Sequence, residues 1–138
     1  MLNVGIIGAG RMGNAHADNL AKLDSAAVTA VYDIDPAKAA AFKEKFPGVA
    51  IRNSAAELAG APEVDLVVIS SPTYCHKEGL LAAMATGKPI FCEKPLCRTP
   101  EDFNELAPLI STYKTTKPIF DMILIPPQTN PYSSHTKL

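Results

Sequence analysis

The sequence has no tryptophan, few cysteines and almost no imbalance of charge. Thirteen Lys and Arg face fourteen Asp and Glu among 138 residues, a formal net charge of -1. A chain so balanced does not hold a polyanion by bulk electrostatics, which argues against nucleic acid as a partner. The three cysteines are an odd number without a Cys-x-x-Cys pair, so they predict neither a disulfide framework nor a metal site. We interpret them as small apolar fillers in a reducing compartment.

Long apolar runs and a signal peptide are also absent. No run approaches the roughly 18 residues that a membrane-spanning helix needs. Gly8 and Gly10 interrupt the short apolar start, which therefore lacks the charged-then-apolar order of a signal peptide. These absences predict a cytoplasmic protein with no membrane partner. Hydrophobic residues make up 47% and charged residues 20%, which is the composition of a packed globular domain.

Short apolar runs alternate along the chain with amphipathic or Ala-rich stretches. This alternation predicts an α/β fold, a Rossmann-type doubly wound parallel sheet with crossover helices. The unbroken apolar run Leu66–Ile69 predicts the centre of that sheet. Pro108 should kink or shorten the last helix. The predicted strands are Leu2–Ile7, Val28–Tyr32, Val49–Ile51, Asp65–Ser70 and Ile90–Cys92, and the predicted helices are Met12–Leu23, Ala37–Lys45, Ser54 to about Gly60, Thr73 or His76 to Thr86, and Thr99 to about Tyr113.

The composition changes at Thr115. Four of the twelve prolines fall in the last 24 residues, together with Ser, Thr, Asn and Gln. We expect one domain over residues 1–114. Within 115–138, Ile119–Ile125 is predicted as an extra strand, whose edge could pair with a second copy in a homo-oligomer, and Pro126–Leu138 as an irregular Pro-rich tail.

Three glycines, Gly8-x-Gly10-x-x-Gly13, separate the first predicted strand from the first helix. In that context Gly8 permits a tight turn, Gly10 lets the backbone approach a pyrophosphate and Gly13 lets the helix pack on the strand. The N-terminus of the helix offers unpaired N–H groups to phosphates. The pattern predicts dinucleotide binding, with Arg11 and Met12 completing the loop. An S-adenosylmethionine site is a weaker alternative, since it also combines a glycine turn with a later acidic residue.

Asp33 is twenty residues beyond Gly13, at the end of the second predicted strand. A carboxylate there can accept hydrogen bonds from the hydroxyls of the adenosine ribose, and it would repel a 2'-phosphate. Asp33 therefore favours NAD over NADP. Arg11 could lie against the pyrophosphate or reach a 2'-phosphate, which keeps NADP open. A turn or capping role is the plainer alternative for Asp33.

Two later segments follow predicted central strands. Ser71 and Pro72 follow the fourth strand, where a doubly wound sheet reverses its strand order and binds ligands. His76 could face the same crevice, although a packed histidine is the commoner outcome. Glu93 and Lys94 end the fifth strand as an ion-pairable dipeptide on the opposite side of the crevice.

The segments GIIGAGRMGNAH, VYDIDP, SSPTYCH and FCEKPL occur in this order and resemble the N-terminal domain of the glucose-fructose oxidoreductase, inositol dehydrogenase and rhizopine-catabolism family (Gfo/Idh/MocA). The resemblance covers residues 1 to about 114. It implies an NAD(P)-dependent oxidoreductase of sugars, inositols or related polyols. It places Ser71, Pro72 and His76 beside the cofactor and Glu93 and Lys94 near the nicotinamide and substrate.

Lys94 is the catalytic candidate, since a protonated lysine can polarise a carbonyl oxygen while hydride is delivered. Family members continue into a substrate-binding domain that has no counterpart in these 138 residues. The resemblance therefore implies a cofactor-binding domain that is inactive as an isolated chain. The alternative is a nucleotide-binding or interaction module without catalysis.

Overall fold

The computed structural model describes residues 1–114 and 119–121, in which six parallel strands form one sheet with helices on both faces. Among these described residues, no helix has the length and apolar character needed to cross a membrane. The strands are β1 (Leu2–Ile7), β2 (Ala26–Tyr32), β3 (Ala50–Ile51), β4 (Leu66–Ile69), β5 (Ile90–Cys92) and β6 (Ile119–Asp121), and the helices are α1 (Arg11–Leu20), α2 (Pro36–Lys45), α3 (Ala55–Gly60), α4 (His76–Met84) and α5 (Pro100–Lys114).

The sheet order is β3-β2-β1-β4-β5-β6, so the strand order reverses between β1 and β4. Residues Val4 to Ile7 of β1 pair in register with Leu66 to Ile69 of β4. The two strands therefore end side by side, at the carboxyl edge where open α/β sheets bind ligands. The predicted doubly wound Rossmann fold is confirmed.

Alternating side chains of the strands supply two hydrophobic clusters, one on each face of the sheet. Ile6 and Val68 pack with α1 and α2 through Ala17 and Phe42. Ile7, Val67 and Ile69 belong to the other cluster, which includes α3, α4 and α5. Both faces of the central strands are thus buried, as the apolar run in β4 predicts.

Helix α1 differs from its prediction in length and in the face that it buries. It begins at Arg11 and ends at Leu20, rather than spanning Met12–Leu23. Its buried residues are Gly13 and Ala17, because small side chains let the helix approach the sheet closely. Met12, His16, Leu20 and Leu23 recur at spacings of four and three residues, which predicts one buried apolar stripe. These four residues instead lie to one side of the buried face, and Leu23 is 53% exposed.

Pro108 does not shorten α5, which continues to Lys114. Proline removes the hydrogen bond to the carbonyl of Asn104, and both residues lie on the exposed side where water can solvate that carbonyl. Phe103, Leu106 and Ile110 hold the helix to the sheet on either side of the proline. Tertiary burial overrides the local penalty.

Most remaining boundaries match the expectations within a few residues. Thr73–Cys75 forms a 3-10 turn before α4 begins at His76. Strand β2 begins two residues earlier than predicted, at Ala26. Strand β6 lies within the predicted extra strand, whose remaining residues 122–125 lie outside the described residues, as does the predicted tail.

Candidate functional site

The glycine turn between β1 and α1 has two positions at which a side chain would clash and one at which it would not. Gly8 has a φ of +105°, and a Cβ there would lie 2.3 Å from the backbone nitrogen of Ser71. A Cβ on Gly13 would lie 1.9 Å from the carbonyl oxygen of Gly8. At Gly10 a Cβ would meet no described atom within 4 Å. Gly8 and Gly13 are thus required by packing, while Gly10 leaves an open surface at the start of α1.

The N-terminus of α1 has uncapped N–H groups that can bind an anion. Gly10 is its N-cap residue, and no side chain among the described residues caps the first turn. The Asn14 amide instead donates to the carbonyl oxygens of Ala9 at 3.0 Å and Gly10 at 2.8 Å. Asn14 therefore fixes the turn without using the free N–H groups of the helix, which suit a phosphate.

Asp33 joins the end of β2 to the glycine turn. Its Oδ2 accepts a hydrogen bond from the Ala9 N–H at 2.7 Å, and its Oδ1 accepts one from the Asp35 N–H at 2.8 Å. A carboxylate oxygen has two lone pairs, so each oxygen keeps capacity for one further donor. The turn role considered from sequence is present, and it leaves the carboxylate able to accept from a ligand.

A concave site lies across the carboxyl ends of β1, β2 and β4. The Ser71 hydroxyl oxygen is buried there and has no hydrogen-bond partner among the described residues. A buried hydroxyl without a partner is costly, which makes Ser71 an unusual position in the lining of this site. The site is lined by Ile7, Gly8, Tyr32, Asp33, Ile34, Ser71, Pro72, Cys75 and Glu78.

Burial and nearby negative charge raise the pKa of two ionisable groups of this site. Desolvation, followed by the charges of Glu78 and Asp33, raises the pKa of Cys75. The same three causes raise the pKa of Tyr32, with a smaller contribution from Cys75. Both groups therefore stay neutral near pH 7. The expectation that the cysteines are fillers fits buried Cys92 and Cys97, whereas half-buried Cys75 lines the crevice.

Glu93 and Lys94 follow β5, next to the end of β4. The Glu93 N–H donates to the carbonyl of Ile69 at 2.8 Å, which continues the β4–β5 pairing. The Glu93 carboxylate is 7% exposed and lies 2.8 Å from the His16 Nε2 of α1. Lys94 is exposed, and its peptide bond to Pro95 is cis. Glu93 could pair with the neighbouring Lys94, but its carboxylate turns inward toward α1 and contacts His16 instead.

His76 is 1% exposed and lies beneath the crevice rather than facing it. Its Nε2 lies 2.9 Å from the carbonyl oxygen of Ser71, and its Nδ1 lies 2.8 Å from that of Pro95. The ring thus links the loop after β4 to the loop after β5. The packed role, which we considered the commoner outcome, is the one observed.

The structure brings Gly8, Asp33, Ser71 and Pro72 into one concave site. Gly10 and the exposed Arg11 and Met12 lie on the adjoining turn, and Glu93 and Lys94 lie beyond the β4 end. The sequence reasoning assigned no role to Asn14 or to His16. A histidine within the apolar stripe of α1 was the available signal for His16. The residues lining the concave site that were not predicted are Ile7, Tyr32, Ile34, Cys75 and Glu78.

Comparison with known proteins gives a consistent set of relatives. The family model described as an oxidoreductase family with an NAD-binding Rossmann fold matches residues 2–116. Inositol 2-dehydrogenase of Acidothermus cellulolyticus is 40% identical over 99 residues, which cover 71% of this chain and 29% of that protein. Glucose-6-phosphate 3-dehydrogenase of Bacillus subtilis is 38% identical over 102 residues, 74% of this chain and 28% of that protein.

The fold also matches solved structures. The myo-inositol dehydrogenase of Lactobacillus casei, solved in complex with NAD(H) and myo-inositol, aligns with a TM-score of 0.81 and 35% identity, covering 88% of this chain and 36% of that one. A probable dehydrogenase of Thermotoga maritima aligns with a TM-score of 0.77 and 32% identity, again covering 88% and 36%. The chain therefore spans about a third of the length of the proteins that it matches.

Proposed function

The chain belongs to the oxidoreductase family with an NAD-binding Rossmann fold, and from this premise we propose that it binds NAD across the ends of β1, β2 and β4. We propose further that it is the cofactor-binding domain of a dehydrogenase of sugars, inositols or related polyols. Relatives named inositol 2-dehydrogenase and glucose-6-phosphate 3-dehydrogenase support this substrate class.

One observation carries the binding proposal: a side chain would clash with backbone at Gly8 and Gly13, but it would meet no described atom at Gly10. Gly10 leaves room for a group to approach the backbone where α1 presents its free N–H groups. A pyrophosphate fits that surface in charge and in size. Gly13 and Gly8 hold the turn, Arg11 and Met12 border it, and Ser71 lines the adjoining crevice.

We propose that Asp33 selects NAD over NADP. Its carboxylate is fixed by the Ala9 and Asp35 N–H groups and keeps lone pairs for the two ribose hydroxyls. A 2'-phosphate at this position would meet its negative charge and that of Glu78, which lines the same site. Arg11 is exposed at the start of α1 and is the residue through which some NADP binding could persist.

We propose that Lys94 transfers the substrate proton. NAD, when bound, supplies the hydride acceptor for oxidation of a CH–OH group. Lys94 is exposed in a loop whose neighbouring residues contact His16 and His76, so its ammonium group is free to meet a substrate oxygen. In the protonated form it polarises a carbonyl oxygen, and in the neutral form it accepts the hydroxyl proton.

Turnover requires more than this crevice. Hydride transfer needs both reactants in near-attack geometry, and the described residues surround the cofactor side of the reaction only. We therefore expect the 138-residue chain to bind NAD and to turn over polyols poorly or not at all. We also propose that the cofactor-binding domain ends at residue 114.

An NADH titration followed by nicotinamide fluorescence tests the proposal. We expect saturable binding to the wild-type chain, at least tenfold weaker binding to Asp33→Ala, and weaker binding of NADPH than of NADH. Lys38→Ala is a matched control, because Lys38 is exposed on the nearby α2 and lies outside the concave site. Absence of saturation up to millimolar NADH, with Asp33→Ala behaving identically, would contradict the proposal.

A groove beside α1 favours a second candidate, a nucleotide-binding module that associates without catalysing a reaction. Leu23 is exposed there, and Leu20 and Phe91 are half-buried around the same groove. An apolar surface of this kind often marks a protein interface. Sedimentation distinguishes the candidates: a dimer that Leu23→Lys converts to monomer supports the module, whereas a monomer that binds NADH supports the cofactor-binding domain.

A further inference from the structure

The turn that carries Lys94 is held from both sides by histidines that come from different helices. On one side, His16 of α1 contacts the Glu93 carboxylate at 2.8 Å. On the other, His76 of α4 contacts the carbonyl oxygens of Pro95 at 2.8 Å and Leu96 at 3.3 Å. The residues that flank Lys94 are thus fixed while its side chain is exposed.

The Glu93 carboxylate connects His16 directly to the backbone of Lys94. Its Oε1 contacts the imidazole, and its Oε2 accepts a hydrogen bond from the Lys94 N–H at 3.3 Å. A carboxylate that is 7% exposed needs such partners, because an unpaired buried charge is strongly unfavourable. Without the ring, the remaining contact is long, and Glu93 would turn toward solvent and release the Lys94 amide.

His16 is itself held in place. Its ring packs edge-on against Phe91 of β5, with ring centroids 5.3 Å apart. It lies between Gly13 and Ala17, the residues by which α1 is anchored on the sheet. Side chains three and four apart share one face of a helix, so the ring moves with the turn of α1 that begins at Gly10.

We propose that His16 is a positioning residue for Lys94, acting through Glu93, and that it couples the phosphate-binding end of α1 to the Lys94 turn. A change at the N-terminus of α1 would reach the Lys94 backbone through two side-chain contacts, His16 to Glu93 at 2.8 Å and Glu93 to the Lys94 N–H at 3.3 Å. The catalytic meaning of this coupling depends on the proposed role of Lys94, whereas the coupling itself does not.

Hydrogen exchange of the Lys94 amide in the cofactor-free chain tests the coupling, with the amide resolved by NMR. Relative to the exchange of the β4 amides, we expect His16→Leu to accelerate Lys94 exchange at least fivefold and to shift its resonance. His16→Gln should restore most of the protection, because the glutamine amide can donate from nearly the position of Nε2. Leu20→Ala, one turn further along α1, is the matched control and should leave the relative exchange unchanged.

Unchanged Lys94 exchange in His16→Leu, or equal acceleration in Leu20→Ala, would overturn the proposal. Should His16→Leu fail to fold, His16→Ala makes the same test, since it also removes the ring that contacts the Glu93 carboxylate and suits a helix. Adding NADH gives a second measurement: the Lys94 resonance should move in the wild-type chain and at least threefold less in His16→Leu at equal saturation. A wild-type chain that binds no NADH would contradict the proposed function, and the exchange rates of the cofactor-free chain would still decide the role of His16.

Discussion

The two sides of the crevice are built by different means. The glycine turn is shaped by backbone sterics within a short stretch of chain, where Gly13 lies against the Gly8 carbonyl. The Lys94 turn is shaped by side chains from more distant parts of the chain. His16 and Glu93 lie 77 positions apart in the sequence, and His76 and Pro95 lie 19 positions apart. The glycine turn should tolerate no added atom at Gly8 or Gly13. The Lys94 turn should tolerate a substitution at His16 that keeps a donor to the Glu93 carboxylate.

Gly13→Ala should have the largest effect. The new methyl group would overlap the Gly8 carbonyl oxygen, and both belong to backbone that cannot move aside. We expect a loss of about 3 kcal/mol in the free energy of unfolding, measured by urea denaturation. Gly48→Ala is the control, because its Cβ would meet no described atom within 4 Å. Equal stability of the two variants would mean that the turn is not sterically closed.

His76→Leu should come next. It removes the buried ring that contacts the Ser71 and Pro95 carbonyl oxygens and leaves both part-buried oxygens without that partner. A cost of about 2–3 kcal/mol is expected in the free energy of unfolding. Tyr74→Ala is the control, since Tyr74 is 62% exposed on the same segment. A change below that of Tyr74→Ala would show that the loops are joined by other contacts.

Gly10→Ala should separate binding from stability. A methyl group at the N-cap meets open space, so the free energy of unfolding should fall by about 1 kcal/mol or less. The same methyl group would occupy the surface that we assign to the pyrophosphate. We expect NADH affinity to fall at least tenfold, as measured by fluorescence titration. Wild-type affinity in this variant would place the phosphates elsewhere.

Alkylation of Cys75 should give the smallest effect. Burial and the charges of Glu78 and Asp33 raise the pKa of its thiol, so the reactive thiolate is scarce at neutral pH and increases only above the usual cysteine range. Iodoacetamide should therefore react more slowly than with a free thiol at pH 7.5, as followed by mass spectrometry. Glu78→Gln removes one raising charge and should increase the rate about twofold. A rate at or above that of a free thiol would contradict this environment.

The contrast between the two sides also explains what the sequence could predict. The glycine spacing and the position of Asp33 specify local geometry, so the turn, the end of β2 and the strand reversal were predictable from neighbouring residues. The partners of Glu93 and His76 depend on how α1 and α4 pack on the sheet. Spacing along the chain carries no information about those contacts. The sequence therefore suggests the adjacent Lys94 as an ion-pair partner of Glu93 and gives no indication of His16.

Burial explains the two other departures. The apolar stripe of α1 suggested a buried face, but Gly13 and Ala17 approach the sheet because they are small. Pro108 alone predicts a kink or an early end of the last helix, because proline removes a helical hydrogen bond. Leu106 and Ile110 nevertheless secure α5 through contacts with the core. Both outcomes depend on the surface against which a helix packs.

An NMR titration of the 138-residue chain with NAD tests the central claim most directly. We predict that the amide resonances of Gly10, Arg11, Ile34 and Ser71 shift together with that of Lys94, and that all five saturate at one concentration. Shifts confined to the groove residues Leu20, Leu66 and Phe91, or no saturable shift at millimolar NAD, would contradict the claim that one cofactor lies across both sides of the crevice.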